Sequence, residues 1–310
     1  MLKNVNKTIQ HSLLVLSTVF LSQTVFSQDG KGGLFDGETQ ARTLTERWEL
    51  SSETKKGTFV ITPYKPIYVS PLRWSSDPNK LPTSDSPDNN ALIPQDYNSV
   101  ESRFQLSFKT KVMQGIFWGA GDIWLAFTQT ANWQVYNADL SRPFRELNYE
   151  PEVILNFATN FEVFGVTNRM MGISLNHQSN GKSLPGSRSW NRVIFQTAFD
   201  YKDLSVIIRP WIRMHEKIEE DDNPGIEEYV GRGDITLIYK YKEQEFSLLA
   251  RNNMRFNKRN KGYLEMNWTY PISGNLKAHL QVANGYGDTM IDFNHKQTII
   301  GLGVSLIEWL

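Results

Sequence analysis

From Tyr263 the chain alternates strictly, with Leu264, Met266, Trp268 and Tyr270 on one parity and Glu265, Asn267 and Thr269 on the other. The rhythm returns at Leu276, Ala278, Leu280 and Val282 against Lys277, His279 and Gln281. It appears again at Ile235, Leu237, Tyr239 and Tyr241 against Thr236, Lys240 and Lys242. A period of two means a strand with one apolar and one polar face. A soluble β-sandwich and a membrane β-barrel both produce it, and they differ in which face meets the surroundings. After residue 27 no run approaches the ~20 apolar residues of a membrane helix, yet aromatic residues make up 12% of the chain.

The first residues tilt the choice. Lys3 and Lys7 precede an apolar run from Leu13 to Leu21, no acid occurs before Asp29, and Val25 and Ser27 suit a cut before Gln28. Basic end, apolar middle and small residue at the cut are the parts of a secretory signal peptide, expected over 1–27. The apolar run is too short to span a bilayer as a helix. Residues 28–56 show no clear pattern and are read as an extension or plug; residues 57–310 form the main domain. The chain has no cysteine, so disulfides, thiolate metal sites and a Cys nucleophile are excluded. Basic and acidic residues balance at 33 each, which leaves no footprint for nucleic acid.

About twelve strand-like segments follow: 57–72, 101–114, 117–134, 149–161, 166–179, 190–202, 203–215, 228–242, 245–255, 261–271, 275–287 and 296–309. Tight turns are expected near Gln114-Gly115, Lys202-Asp203, Glu243-Gln244-Glu245 and Ser273-Gly274, alternating with longer polar loops such as Arg73 to Ser99 and Gly287 to His295. Short turns at one rim and long loops at the other are the outer-membrane arrangement. The expectation is an all-β fold, a 12-stranded antiparallel transmembrane β-barrel in the bacterial outer membrane. With an even strand number both barrel ends lie at the periplasmic rim.

Three polar residues then fall on the face that should touch lipid. Met171, Ile173 and Leu175 set a parity that continues to His177 and Ser179; Val193 and Phe195 set one that runs back to Asn191 and Ser189. Polar groups in lipid are costly and mark function by default. His177 would serve as general base for a Ser179 nucleophile, with Asn191 holding the imidazole tautomer. A bare His-x-Ser pair also describes a strand end solvated by its loop, so parity by itself leaves both readings open.

The surrounding run is more specific. His177-Gln178-Ser179-Asn180-Gly181-Lys182-Ser183-Leu184-Pro185-Gly186-Ser187-Arg188-Ser189-Trp190-Asn191-Arg192 resembles the signature of the outer-membrane phospholipase A family. Satellites accompany it in order: Pro143-Phe144-Arg145-Glu146, Asn148-Tyr149-Glu150-Pro151, Asp221-Asp222-Asn223-Pro224 and Gly285-Tyr286-Gly287. The resemblance implies a twelve-stranded barrel that hydrolyses acyl esters of phospholipids and lysophospholipids with calcium (Ca2+) and is active as a homodimer. It implies Ser179 as nucleophile, His177 as base, Asn191 as its orienter and the Gly181 amide as oxyanion donor. Calcium would take the Ser187 hydroxyl, the Lys182 carbonyl and, from a second copy, the Ser141 carbonyl. Lys182 replaces an arginine, and the loop around Ser141 departs from the usual serine-rich sequence. Gln129, on the outward parity of Ile123, Leu125 and Phe127, is implied as a hydrogen-bonding residue of the dimer seam.

His215, His279 and His295 are read as solvated or lumen residues, and the acidic run from Glu216 to Glu228 as a solvated loop. Two other functions are open to an exported barrel. A passive pore would need an open lumen, against which the lumen-facing Lys240, Lys242 and Glu265 point to a salt-laced interior. An inactive interaction platform would not need intact His, Ser and Asn.

Overall fold

The protein is seen here as a computed structural model that describes residues 43–310. The segment expected as a signal peptide, and residues 28–42 of the extension, lie outside the described residues. The strands are β1 (Ile61–Pro63), β2 (Ile67–Ser75), β3 (Val100–Met113), β4 (Asp122–Trp133), β5 (Glu146–Val163), β6 (Val166–Ser179) and β7 (Ser189–Tyr201). There follow β8 (Leu204–Arg213), β9 (Gly233–Tyr241), β10 (Gln244–Asn252), β11 (Gly262–Ser273), β12 (Leu276–Tyr286) and β13 (Lys296–Ile307). Among the described residues two short α-helices, α1 (Leu44–Trp48) and α2 (Glu227–Val230), and two 3-10 turns accompany the strands of an almost all-β fold.

Strands β2 to β13 pair antiparallel with their sequence neighbours, and β13 pairs back onto β2, closing a twelve-stranded barrel. The expected first strand is split. Both β1 and β2 lie along β3, separated at Tyr64-Lys65-Pro66. Pro63 and Pro66 have no N–H to give to a ladder, and the gap is bridged by Lys65 N–H to Ser107 Oγ and Gln105 Nε2 to the Pro66 carbonyl. Two further boundaries move. β4 begins at Asp122, not 117, because residues 114–121 form a glycine-rich hairpin tip, and β9 begins at Gly233 because 227–230 coil into α2.

The exposure pattern is inverted relative to a soluble protein. On β6, Met171, Ile173 and Leu175 are 49%, 37% and 58% exposed, whereas Ser174 and Asn176 on the other parity are buried. On β11 the exposed set is Leu264, Met266, Trp268 and Tyr270, and on β9 it is Ile235, Tyr239 and Tyr241. An apolar outer face around a polar interior places hydrocarbon outside the barrel.

The interior is filled. At one end α1, capped by the Thr43 hydroxyl on Glu46 N–H, puts Leu44 and Trp48 among Tyr64, Trp124, Ile154 and Leu310. Trp48 meets Tyr64 and Trp124 edge-on, with ring centroids 5.8 and 6.0 Å apart. At the other end the 287–295 loop, expected as a polar surface connection, turns inward: Met290 and Phe293 pack on Trp190, Trp211, Ile226 and Val230. Between these plugs lies a lattice of ion pairs, including Arg209–Glu152 at 3.1 Å, Lys65–Glu150 at 2.6 Å and Arg145–Glu101 at 2.7 Å. His279 is buried on the lumen side and bonds the Asn267 amide oxygen at 3.0 Å, as its parity predicts. A polar cavity of about 190 Å³ remains inside. The interior is salt-laced, as the lumen-facing charges predicted, but Lys242 is not among them: it lies exposed in the turn after β9.

Asp288 pins the inward loop. Its Oδ1 accepts from Arg73 at 2.5 Å and from Arg103 at 3.0 Å. Burial alone would raise this carboxyl, but Arg73 and Arg103 outweigh it and hold the group far below the usual carboxylate range. A depressed folded-state value stabilises the fold fully above about pH 4, the ordinary aspartate range, and the contribution is lost as pH falls further. Asp288→Asn leaves two buried guanidinium groups facing each other and is expected to cost roughly 3–5 kcal/mol. The heat-induced shift in gel mobility of the folded barrel should then occur at lower temperature, and this part of its acid sensitivity should vanish.

Candidate active site

Strands β6 and β7 form a hairpin whose register pairs His177 with Asn191 and Ser179 with Ser189. Residues paired across antiparallel strands bring their side chains together on one face. His177 Nδ1 lies 2.8 Å from Asn191 Oδ1. An amide oxygen only accepts, so the proton of that bond sits on Nδ1 and Nε2 carries the free lone pair. Ser179 is two residues further on the same face, its Cα about 6.5 Å from that of His177. Among the described residues no hydrogen bond joins the Ser179 hydroxyl to the imidazole.

All three side chains share parity with the exposed Met171, Ile173, Leu175 and Phe195, and the intervening Asn176, Arg192 and Trp190 are buried. The trio therefore points away from the lumen. The inner face of the same hairpin is braced: Trp190 Nε1 donates to Gln178 Oε1 at 2.9 Å, and the Arg192 guanidinium stacks 4.2 Å over the Trp190 ring. The interior cavity has no wall from His177 or Ser179. The candidate trio and the cavity are on opposite sides of the sheet.

The 180–188 loop is built around Asn180, whose backbone N–H reaches the Arg188 carbonyl at 3.0 Å and whose Oδ1 accepts from Arg188 N–H at 3.0 Å. Gly181 is exposed with φ +63°, and a Cβ there would stand 3.1 Å from the Tyr149 ring. Tyr149 pairs with Ser179 on one side and with Gln129 on the other. Gln129 and Ser179 thus share one register row, two strands or about 10 Å apart. Gln129 faces outward beside the exposed Leu125.

Ser187 Oγ donates to Asp222 Oδ2 at 2.7 Å, and Ser189 Oγ reaches the same oxygen at 3.3 Å. Lys182 turns its ammonium to Glu146 at 3.1 Å and to the Arg145 carbonyl, leaving its own carbonyl unencumbered by that charge. Ser141 lies in a different loop, between β4 and β5, and its carbonyl accepts from the Trp133 indole at 2.8 Å.

The acidic stretch after β8 departs from the solvated loop expected of it. Glu216 accepts from Asn191 Nδ2 at 3.0 Å and from Arg213 at 3.0 Å, and Asp221 accepts from Arg213 at 2.7 Å. Glu219 and Glu220 remain exposed, and so does His215. His295 bonds the Asp77 carbonyl at 2.8 Å near its loop end. Glu216, Asp222 and Tyr149 are site neighbours to which sequence reasoning assigned no role. Asp222 had a signal in the Asp221-Asp222-Asn223-Pro224 run; Glu216 had none.

The model of the family described as Phospholipase A1 matches residues 44–306. The chain belongs to the phospholipase A1 family. A putative phospholipase A1 of Neisseria meningitidis is 35% identical over 269 residues, covering 84% of this chain and 69% of the relative. Phospholipase A1 of Klebsiella pneumoniae is 34% identical over 254 residues, covering 80% and 82%. The fold is that of the outer-membrane phospholipase barrel: outer membrane phospholipase A from Escherichia coli superposes with TM-score 0.73 at 32% identity, over 83% of this chain and 95% of that one. A calcium-bound dimer of the Salmonella typhi outer membrane phospholipase matches with TM-score 0.72 at 32% identity and the same coverage.

The loop of the β6–β7 hairpin turns on Gly181, which holds a positive φ. Gly181→Ala forces an L-residue into the left-handed region, at roughly 1–3 kcal/mol, and presses its methyl on Tyr149. The expected outcome is at least a tenfold loss of lipid hydrolysis by a barrel that still migrates as folded on a gel.

Proposed function

We propose that this protein hydrolyses acyl ester bonds of phospholipids and lysophospholipids in the outer membrane, as a calcium-dependent serine esterase active as a homodimer. The observation that carries the reading is the outward trio of His177, Ser179 and Asn191, placed directly above the apolar stripe of Met171, Ile173 and Leu175. A substrate reaching that face comes sideways out of the bilayer, acyl chains along the stripe and ester near the polar rim. Lipids bearing one or two acyl chains satisfy that geometry, and the proposal includes cleavage at the sn-1 ester (A1) and at the sn-2 ester (A2).

In the reaction, His177 Nε2 accepts the Ser179 proton as Oγ attacks the ester carbonyl carbon. The oxyanion develops on the side of the exposed Gly181 N–H, a donor held out by the left-handed turn. The imidazolium then gives its proton to the departing lipid alkoxide, leaving an acyl-Ser179. Water, deprotonated by His177, releases the fatty acid and regenerates the serine. Throughout, Asn191 Oδ1 holds Nδ1–H and so keeps the imidazole in the tautomer the cycle needs.

The oxygens available beside the triad fit a hard cation. Ser187 spends its proton on Asp222, so its oxygen would still have a lone pair for a metal, and the Asp222 carboxylate supplies negative charge. Ser187 Oγ and the Lys182 carbonyl would hold calcium from this chain, and the Ser141 carbonyl would come from a second copy. When bound, calcium supplies positive charge and polarised water near the developing oxyanion. Dimerisation along Gln129 sets the second copy within one register row of Ser179, which supports a substrate groove shared between two barrels.

Fatty-acid release from phospholipid micelles tests the whole reading. Ser179→Ala should abolish it, Asn191→Ala should lower it by orders of magnitude, and a chelator should silence the wild type reversibly. Full activity in Ser179→Ala would refute the assignment.

A further inference from the structure

We propose that Glu216 is a positioning residue for the catalytic group, selecting the one orientation of the Asn191 amide that makes His177 a base. The inference rests on the Ser-His-Asn reading and extends it to a loop residue. An asparagine amide has two nearly isosteric orientations. With Oδ1 toward His177, the imidazole carries its proton on Nδ1 and offers Nε2 to the serine. With Nδ2 toward His177, Nδ1 must become the acceptor, the proton moves to Nε2, and the base is lost. An aspartate in the third position has no such ambiguity; a neutral amide needs something to choose for it.

Glu216 makes the choice by chemistry. Its carboxylate only accepts, and Oε1 takes Asn191 Nδ2–H at 3.0 Å. A flipped amide would set a carbonyl oxygen against that carboxylate. The carboxylate is itself fixed, with Oε2 receiving Arg213 Nη2 at 3.0 Å, while the same nitrogen holds Asp221 at 2.7 Å. The backbone is fixed too: Met214 N–H donates to the Asn191 carbonyl at 2.8 Å, so the chain leaves β8 already attached to the residue that Glu216 orients. The series His177–Asn191–Glu216–Arg213–Asp221 is continuous, and each link has a defined donor and acceptor.

The test is a double-mutant cycle with substitutions at 216 and 191, read as kcat and KM on mixed phospholipid micelles with calcium present. Glu216→Ala is expected to lower kcat by about ten- to a hundredfold, the usual cost of losing a residue that orients a site ligand, with KM changed by less than about twofold on the same reasoning. Glu216→Gln should lower kcat less, since its amide oxygen can still accept. The exposed neighbour Glu219→Gln should match the wild type. In Asn191→Asp the new carboxylate can still receive Nδ1–H but now faces Glu216, so activity falls. Adding Glu216→Gln to it converts that clash into a donor–acceptor pair and should raise activity. Opposite signs of Glu216→Gln in the two backgrounds are the signature of orientation, which a merely structural loop role would not give. Equal signs in both backgrounds, or wild-type kcat in Glu216→Ala, would overturn the proposal. Ser179→Ala, run in parallel, separates the two levels: its retained activity would refute the catalytic reading itself, whereas its inactivity with a flat response at 216 refutes only the role of Glu216.

Discussion

In hydrocarbon an unpaired backbone N–H or C=O costs several kcal/mol, and only a sheet closed on itself leaves none at an edge. The pairing of β13 with β2 is that closure, and the inverted burial pattern follows from it. Once the outside must be apolar, the polar parity of every strand is driven inward. There it must find partners, because a buried charge without one is more costly still. The lumen answers with Arg73 and Arg103 on Asp288, Arg209 on Glu152, and Arg145 on Glu101. The two apolar plugs around Trp48 and Phe293 restrict water at the ends of this lattice, which strengthens each pair inside.

Against that rule the outward His177, Ser179 and Asn191 are an exception with a reason. A hydrophilic group on the lipid face is disfavoured unless the task requires a lipid to reach it. The site sits where that penalty is smallest, at the last residues of β6 and first residues of β7, beside a polar loop. Its rigidity comes from the other side of the sheet, where Trp190, Gln178 and Arg192 lock together. The same strand pair thus serves lumen packing on even positions of β6 and carries the candidate catalytic residues on odd ones.

What could be read from the sequence was whatever has a period. The parity of Met171 to Ser179 places His177 and Ser179 outward, and that of Phe195 back to Asn191 adds the third residue, since alternation in a strand has only two answers. The aperiodic parts were less legible. The 287–295 loop carries Asp288 and Asp292, which suggested solvent, although Met290, Ile291 and Phe293 were the sign of an inward turn. Thr43 followed three residues later by Glu46 is a helix-start pattern, yet five residues of α1 are too few to show an amphipathic repeat. Split strand β1–β2 follows from Pro63 and Pro66, which a count of apolar parity does not weigh. Glu216 was illegible for a different reason: its partner Asn191 is 25 residues away on another element, and only the fold brings them into contact.

The use of an amide beside the histidine suits the medium. A carboxylate at Asn191 would stand on the lipid-facing side of the sheet, where desolvating a charge is far more costly than desolvating an amide. Moving the negative charge to Glu216 leaves it in the loop, half-buried and already paired with Arg213. The neutral group meets the membrane and the charged one reaches it through a single hydrogen bond of 3.0 Å. In the catalytic group proposed above, this arrangement would give the imidazole a fixed tautomer without an acid at the hydrocarbon boundary. An asparagine would then be the form a histidine's supporting residue takes where the outside of the barrel is oil.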